Sequence, residues 1–256
     1  MKRFMFALML GTSAIVSVPA HAQNTSVLRY GVDPSHPPFS SRDASGKLVG
    51  FDIDLGTEIC ARIKSKCEWV QNDFDGMIPA LQAKKFDAIL ASMSITEKRK
   101  QVIAFTSRLY KTPNKLIVRK EANLEPTAES LKGKSIGVQQ GTVPESYAKE
   151  HWAPAGARVV SYPNFDQVFA DLAAGRLDGC FTDAAVGEYG FLRTPQGANF
   201  KFTGGNVYAS NGAGIGLRQS DVELREKIDR AIADMLADGT YKRLAGKYFQ
   251  FDPYGS

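Results

Sequence analysis

The pattern that most constrains the fold is an alternation of short apolar runs with amphipathic helices. In the first half, a strand-like run at 28–33 precedes a helix at 51–63 whose apolar residues recur every four positions. A second run at 67–70, a helix at 75–84 and a third run at 86–90 continue the alternation. Successive strand–helix–strand units of this kind predict a parallel sheet with right-handed crossovers.

The second half repeats this plan. Its predicted strands are at 114–119, 135–139, 159–162 and 177–182, with intervening helices that end near Trp152 and at Gly175. The glycines at 204–212 predict a break, followed by a short strand at 213–217 and helices at 224–236 and 241–248. This tail has no parallel sheet of its own to join, so we expect it to pack on the first lobe. The sequence predicts two α/β lobes, with crossings near 110–115 and 204–212.

The first 22 residues predict a cleaved secretory signal. Lys2 and Arg3 precede an apolar run, which ends in the A-x-A pattern before Gln23. This is the only long apolar run, and it is too short for a permanent membrane span. The 32 lysines and arginines are interspersed with 27 aspartates and glutamates, which argues against a nucleic-acid surface. We expect a soluble protein outside the cytoplasm.

Cysteine usage agrees with an oxidising compartment. Cys60 and Cys67 are the natural disulfide pair, because they would close a short loop between a helix and the next strand. Cys180 lies in an apolar stretch and predicts a buried free thiol that serves packing rather than chemistry.

The stretch 86–99 is the strongest candidate for a binding site. Ser92 and Ser94 flank Met93, Thr96 stands at a helix N-cap position, and Arg99 lies in the first turn. Helix N-terminal N–H groups and a guanidinium both favour a carboxylate ligand. The alternative, weighted equally on this stretch alone, is a capped surface helix with a solvated arginine.

Other candidates follow predicted strands. Asp33 and His36 lie at the end of the first strand, Asp183 ends the strand at 177–182, and Gln139 and Thr142 stand where the strand at 135–139 turns into a helix. In open α/β sheets ligands bind at this edge.

Several common motifs are absent or incomplete. The glycines at 212, 214 and 216 lack the last glycine of a dinucleotide fingerprint. The sequence has no nucleophile elbow, P-loop or H-E-x-x-H motif, and only His36 and His151 follow the signal. We therefore predict no metal, no cofactor and no histidine-based catalytic triad.

Motifs along the whole mature chain resemble the periplasmic amino-acid-binding proteins of ABC importers, especially the members for lysine/arginine/ornithine and for histidine. These motifs are LRYGVD, GFDIDLGTEIC, NDFDGMIPAL, FDAILASMSITEKR, SLKGKSIGVQQGT, AGRLDGCFTD and GTYKRLAGKYF. The resemblance implies a type II periplasmic binding protein fold: two lobes, each with a mainly parallel central sheet flanked by helices, joined by a two-crossing hinge. The expected boundaries are residues 1–22 for the signal, 23–112 plus 208–256 for lobe 1 and 113–207 for lobe 2.

The resemblance also implies roles for the site residues. By this resemblance, Arg99, Ser92, Ser94 and the turn at Thr142 form the carboxylate clamp, which binds the ligand's α-carboxylate. Asp183 binds the ligand's α-ammonium. The side-chain pocket falls on Asp33, His36 and Phe74, and the disulfide on Cys60 and Cys67. Without the resemblance, each of these residues has a purely structural interpretation. Phe74 would be a core aromatic residue, Asp33 and Asp183 would be turn caps, and His36 would be a histidine in a surface loop.

At four places the sequence departs from the family pattern, so the resemblance does not determine which side chain the ligand carries. His36 stands where a tyrosine is usual, Ala91 replaces a common serine, Val143 and Pro144 replace polar residues, and the loop before Gly212 looks shorter. A smaller, less polar slot can admit N-substituted basic amino acids of the opine type.

The leading expectation is a monomeric, non-catalytic receptor that delivers a cationic amino acid to an inner-membrane permease. An extracytoplasmic dehydratase on the same fold is the second hypothesis; it would need a general acid or base beyond the charges already assigned to the zwitterion. A sensor domain is the third, and it would need a transmembrane segment after the signal.

Overall fold

The strands of the computed structural model, which describes residues 26–209 and 211–255, form two five-stranded sheets and one small hairpin. In chain order they are β1 (Ser26–Val32), β2 (Ser41–Arg42), β3 (Leu48–Val49), β4 (Ser65–Gln71), β5 (Ala88–Ile89), β6 (Ala104–Phe105), β7 (Pro113–Arg119), β8 (Ser135–Gln139), β9 (Arg158–Tyr162), β10 (Gly179–Asp183), β11 (Phe200–Ala209) and β12 (Gly216–Leu217). The helices are α1 (Phe51–Arg62), α2 (Met77–Gln82), α3 (Glu97–Lys100), α4 (Val143–His151), α5 (Phe165–Ala173), α6 (Ala184–Gly187), α7 (Val222–Ala237) and α8 (Thr240–Ala245). The predicted signal peptide, residues 1–22, lies outside the described residues, which contain no helix long and apolar enough to span a membrane.

The first sheet has the strand order β4-β1-β5-β12-β6. The three strands β4, β1 and β5 are parallel, as the alternation predicts, and Leu28 lies opposite Cys67. The two outer strands, β12 and β6, are added antiparallel. The first sheet is therefore mixed rather than wholly parallel. Its fourth strand, β12, comes from near the end of the chain.

The second sheet has the order β11-β7-β10-β8-β9. Here β9, β8 and β10 are parallel, whereas β7 and β11 are antiparallel neighbours. The break predicted at Gly204 is wrong, since β11 runs from Phe200 to Ala209. The register shifts between Thr203 and Tyr208, and Gly204 adopts a φ of 63°. A glycine in this conformation permits a bulge within a continuous strand.

The chain passes twice between the sheets, from β6 to β7 and from β11 to β12. The molecule is thus an α/β protein with two lobes. Helix α8 packs near the first sheet, where Tyr241 donates a 2.7 Å hydrogen bond to the Leu109 carbonyl and its ring meets Phe51 edge-on. The C-terminal tail therefore returns to the first lobe.

The cysteine predictions are confirmed. Cys60 at the end of α1 and Cys67 in β4 form a disulfide with an S–S distance of 2.03 Å. Cys180 is a buried free thiol in β10, and burial raises its pKa. The thiol is therefore held in its neutral form.

Some predicted elements differ in extent. The helix expected at 75–84 starts as a 3-10 turn at Phe74–Gly76 and continues as the shorter α2. The strand expected at 213–217 pairs regularly only at Gly216–Leu217. Ala213 instead forms isolated bridges to Ser94 and Tyr110. These bridges attach the backbone at Ala213, near the crossing from β11 to β12, to the first lobe.

Candidate functional site

A central cavity lies between the lobes and is lined by residues of both. The predicted site residues in its wall are His36, Phe74, Ser92, Ser94, Arg99, Thr142 and Asp183. Residues in the wall that the sequence did not single out as binding candidates include Tyr110, Thr112, Asn114 and Phe165. Of the predicted site residues, Asp33, Met93 and Gln139 are buried outside this wall.

Arg99 supplies a fixed positive charge to the cavity. The Thr96 hydroxyl caps α3 by accepting a 3.2 Å hydrogen bond from the Arg99 N–H, as predicted for an N-cap. The guanidinium donates to the Ser94 carbonyl at 2.7 Å and to the Gly141 carbonyl at 3.0 Å. Its carbon lies 5.4 Å from the centre of the Phe74 ring. The side chain is therefore oriented by backbone oxygens and an aromatic face.

No carboxylate in the described residues forms an ion pair with Arg99. Desolvation lowers the pKa of its guanidinium to about 10, which leaves it charged at neutral pH. A shielded cation without a counter-charge, held as a planar fork, suits bidentate binding of a ligand carboxylate.

Asp183 supplies the negative charge. It ends β10 and caps α6, where its Oδ1 accepts hydrogen bonds from Ala185 N at 2.8 Å and Val186 N at 3.3 Å. Its Oδ2 accepts a short hydrogen bond from the Thr112 hydroxyl. Burial outweighs these bonds and raises the pKa of the carboxyl. Within residues 26–209 and 211–255 it forms no ion pair, so a ligand ammonium would stabilise its ionised form.

Ser92 is held in place by a residue that sequence analysis missed. Ser92 has a φ of 52° and donates its backbone N–H to Asp52 Oδ2 at 3.0 Å. Tyr110 donates its hydroxyl to Asp52 Oδ1 at 2.7 Å and lies 3.0 Å from the Ser92 hydroxyl. Burial raises the pKa of Asp52 to about 6. In the sequence, Asp52 looks like an ordinary acidic residue in the first turn of a helix, so only its burial reveals this role.

Part of the cavity wall, formed by His36, Phe74 and Phe165, is aromatic. The His36 ring lies 5.6 Å from Phe74 and 5.2 Å from Phe165, which it meets edge-on. Asp33 lies behind His36, with Oδ2 at 3.4 Å from the imidazole Nδ1. The structure therefore does not bring Asp33 into the cavity wall, where a direct contact with the ligand was predicted.

The pKa values of this pair are coupled. Burial alone would raise the pKa of Asp33, but His36 and the hydrogen bonds from Ser35 hold it below its usual value. Burial alone would lower the pKa of His36, but the nearby charge of Asp33 raises it. Each group therefore favours the charged form of the other.

The two other buried site candidates have structural contacts. Met93 packs in a core cluster that includes Phe74, and its carbonyl accepts a hydrogen bond from Gly214 N at 3.2 Å. Gln139 at the end of β8 donates to Asp33 Oδ2 at 2.7 Å and to the Pro163 carbonyl at 3.1 Å.

Thr142 lines the cavity and caps α4. Its hydroxyl donates to the Gln139 carbonyl at 2.6 Å and accepts from Glu145 N at 3.3 Å. The protein's own hydrogen bonds therefore hold the first turn of α4 at the cavity.

Hydrogen bonds join the lobes beside the cavity. Arg99 donates to the Gly141 carbonyl, and Gln139 donates to Asp33. Phe165 N also donates to the Ser35 hydroxyl at 3.3 Å. The structure is thus a closed form of the cleft. No cluster of three or more potential metal ligands occurs in the part of the chain that the structure describes.

Comparison with known proteins places this site in a family. Residues 28–251 match the model of bacterial extracellular solute-binding proteins, family 3. The histidine-binding periplasmic protein of Escherichia coli K12 is 48% identical over 259 residues and covers 100% of both chains. The lysine/arginine/ornithine-binding periplasmic protein of the same strain is 46% identical with the same coverage.

The solved structures agree with the sequence matches. An ancestral arginine-binding protein bound to arginine has a TM-score of 0.83 and 38% identity, covering 88% of this chain and 98% of its own. These relatives are binding proteins rather than enzymes. On this evidence the chain belongs to family 3 of the bacterial extracellular solute-binding proteins.

Proposed function

We propose that this protein captures a basic amino acid between its two lobes and delivers it to an ABC permease. The observation that carries the proposal is the pair of unmatched charges in one closed cavity, Arg99 from the first lobe and Asp183 from the second. An amino-acid zwitterion needs one fixed cation and one fixed anion. Neither lobe alone provides both, so such a ligand binds the closed form better than the open form.

The aromatic part of the cavity wall suits a ligand with a long, flat or cationic side chain. Phe74 and Phe165 offer ring faces and edges to methylene, guanidinium or imidazole groups. The nearby carboxylate of Asp33 contributes negative charge behind His36. The relatives named for histidine, for lysine, arginine and ornithine, and for arginine share this ligand class.

The proposal includes the cellular setting. We place the protein in the periplasm as a monomer after removal of residues 1–22, with lobe 1 formed by 23–112 plus 208–256 and lobe 2 by 113–207. The second proposed boundary falls inside β11, shortly before that strand ends at Ala209. The closed, loaded shape is then what a permease can distinguish from the empty one.

Mass spectrometry of the ligand released from natively purified protein tests the proposal. We expect arginine, lysine, ornithine or histidine at close to one molecule per chain. Consistent recovery of a neutral or acidic amino acid instead would contradict it.

An opine-type ligand is the second candidate. Val143 and Pro144 line the cavity beside Thr142, so the wall near the clamp is partly apolar. An N-substituent on a basic amino acid would contact this surface. Recovery of such a compound in the same measurement would favour this candidate while leaving the clamp assignment unchanged.

A further inference from the structure

The imidazole of His36 separates the cavity from the carboxylate of Asp33. The His36 ring lines the cavity, yet its side chain is only 5% exposed, and its Nδ1 faces Asp33 Oδ2 at 3.4 Å. Asp33 lies outside the wall. A ligand side chain that reaches this end therefore meets His36 first.

Asp33 is already occupied by donors from the protein. Its Oδ1 accepts from Ser35 N at 3.0 Å and from the Ser35 hydroxyl at 2.8 Å. Its Oδ2 accepts from Gln139 Nε2 at 2.7 Å. A carboxylate with these partners has little capacity left for a ligand in the cavity, and its remaining neighbour is the imidazole.

The position of Asp33 determines whether each nitrogen of the His36 ring can donate or accept a hydrogen bond. Asp33 is ionised and only accepts hydrogen bonds, so the His36 nitrogen that faces it, Nδ1, carries a proton. Nε2, on the other side of the ring, is the nitrogen left for the cavity. In neutral His36 it presents a lone pair to the ligand, and in protonated His36 it presents an N–H and a positive charge.

Charges from several elements act on His36. The titratable or charged groups around it are Asp33 after β1, Asp52 in α1, Asp166 in α5, Asp183 at the start of α6 and Arg99 in α3, across the Phe74 ring. The carboxylates favour the protonated ring, whereas burial and Arg99 oppose it. The net effect raises the pKa of His36. The empty site therefore holds protonated His36 over a wider pH range than a free histidine would.

We propose that His36, oriented by Asp33, reads the distal group of the ligand, and that binding of a cationic side chain releases one proton from His36. The inference rests on the proposed function. The proton on Nε2 leaves for bulk water, and an N–H of the ligand's guanidinium or ammonium takes its place as the donor. Protonated His36 would instead repel the cation.

Selectivity then depends on pH. Below the pKa of His36, affinity for arginine should fall by about tenfold per pH unit, because the proton must first be removed. A neutral ligand with a distal carbonyl, such as glutamine, accepts a hydrogen bond from protonated Nε2 and should not lose affinity in this range. Asp33 acts here as a positioning residue, through its hold on the imidazole.

Isothermal titration calorimetry of the full mature chain with arginine tests the inference. Titrations at pH 5 to 8, in buffers with different ionisation enthalpies, count the protons released per arginine bound. We expect a release that approaches one proton in the parent and is unchanged in His151→Gln, the matched control. His151 lies in a groove outside the cavity. Arginine binding by His36→Gln should release no proton.

Two further measurements keep the inference testable if His36→Gln does not fold. In Asp33→Asn, the midpoint of the pH dependence of arginine affinity should move to lower pH. In the parent, arginine should lower the titration midpoint of the His36 Cε1–H resonance by at least about one pH unit. An unchanged midpoint in either experiment would overturn the proposal, as would the same proton release in His36→Gln as in the parent.

The outcomes distinguish the two proposals. Arginine binding without proton release in the parent would contradict the role of His36 and leave the receptor function intact. Failure of the parent to bind any basic amino acid would contradict the proposed function itself.

Discussion

Gln139 Nε2 donates a 2.7 Å hydrogen bond to Asp33 Oδ2, and this contact joins the end of β8 in the second lobe to the end of β1 in the first. Both side chains are buried. The closed cleft is therefore held partly by the protein itself, so the ligand does not have to supply all of the closing free energy.

Loss of this contact should favour the open form. Gln139→Ala removes a hydrogen bond to a charged acceptor, which contributes roughly 1.5–3 kcal/mol. We expect weaker arginine binding, by about tenfold or more, and a larger radius of gyration for the empty protein in small-angle scattering. The exposed neighbour Gln140→Ala is the control and should change neither. An empty Gln139→Ala protein as compact as the parent would contradict the closing role of the contact.

Arg99→Ala should abolish tight binding with little effect on folding. The substitution removes the cation proposed to pair with the ligand carboxylate in a partly desolvated cleft, at a cost of roughly 2–5 kcal/mol in binding free energy. Helix α3 has no buried residues, so the melting temperature of the empty protein should change little. Lys98→Ala, on an exposed neighbour, is the control. Unchanged arginine affinity in Arg99→Ala would show that the clamp lies elsewhere.

Asp183→Asn should weaken all amino acids alike. An asparagine can still accept the hydrogen bonds from Ala185 N and Val186 N, so the start of α6 is kept. The charge opposite the α-ammonium is lost, and calorimetry should show losses of similar size for arginine and glutamine. Asp178→Asn is a control outside the cavity. A loss confined to cationic side chains would assign Asp183 to the distal group instead.

Asp33→Asn tests whether Asp33 has a different role from Asp183. At a pH well above the pKa of His36, where no proton has to be released, this substitution should weaken arginine, lysine and ornithine more than neutral amino acids, because the cationic side chain loses the negative charge behind the neutral imidazole. Equal losses for charged and neutral ligands, measured by the same titrations, would contradict this division of roles.

Asp52 should make stability depend on pH. Because burial raises its folded-state pKa to about 6, its stabilising protonated form is fully present below about pH 4 and is lost as the pH rises through 6. Relative to Asp52→Asn, the parent should lose roughly 2 kcal/mol of unfolding free energy between pH 4 and pH 7. Urea unfolding of both proteins across this range gives the difference. A difference that does not vary with pH would mean that Asp52 titrates normally.

Much of this architecture was predictable because apolar runs and strand ends can be read locally. Arg99 and Asp183 were found from an N-cap pattern and a strand terminus, and both line the cavity. The continuation of β11 through Gly204 was missed because a bulge and a turn share the same glycine signal. The contact of Asp33 with Gln139 from the other lobe was missed because no local pattern predicts a contact between residues so far apart in the chain.

Calorimetric titration of the ligand-free protein with individual amino acids tests the central claim most directly. The account predicts saturable 1:1 binding of arginine, lysine, ornithine or histidine, with the best of them at least about tenfold tighter than glutamine or leucine at pH 8, equivalent to about 1.4 kcal/mol. Absence of binding by all four, or tighter binding of a neutral amino acid than of any of them, would contradict it.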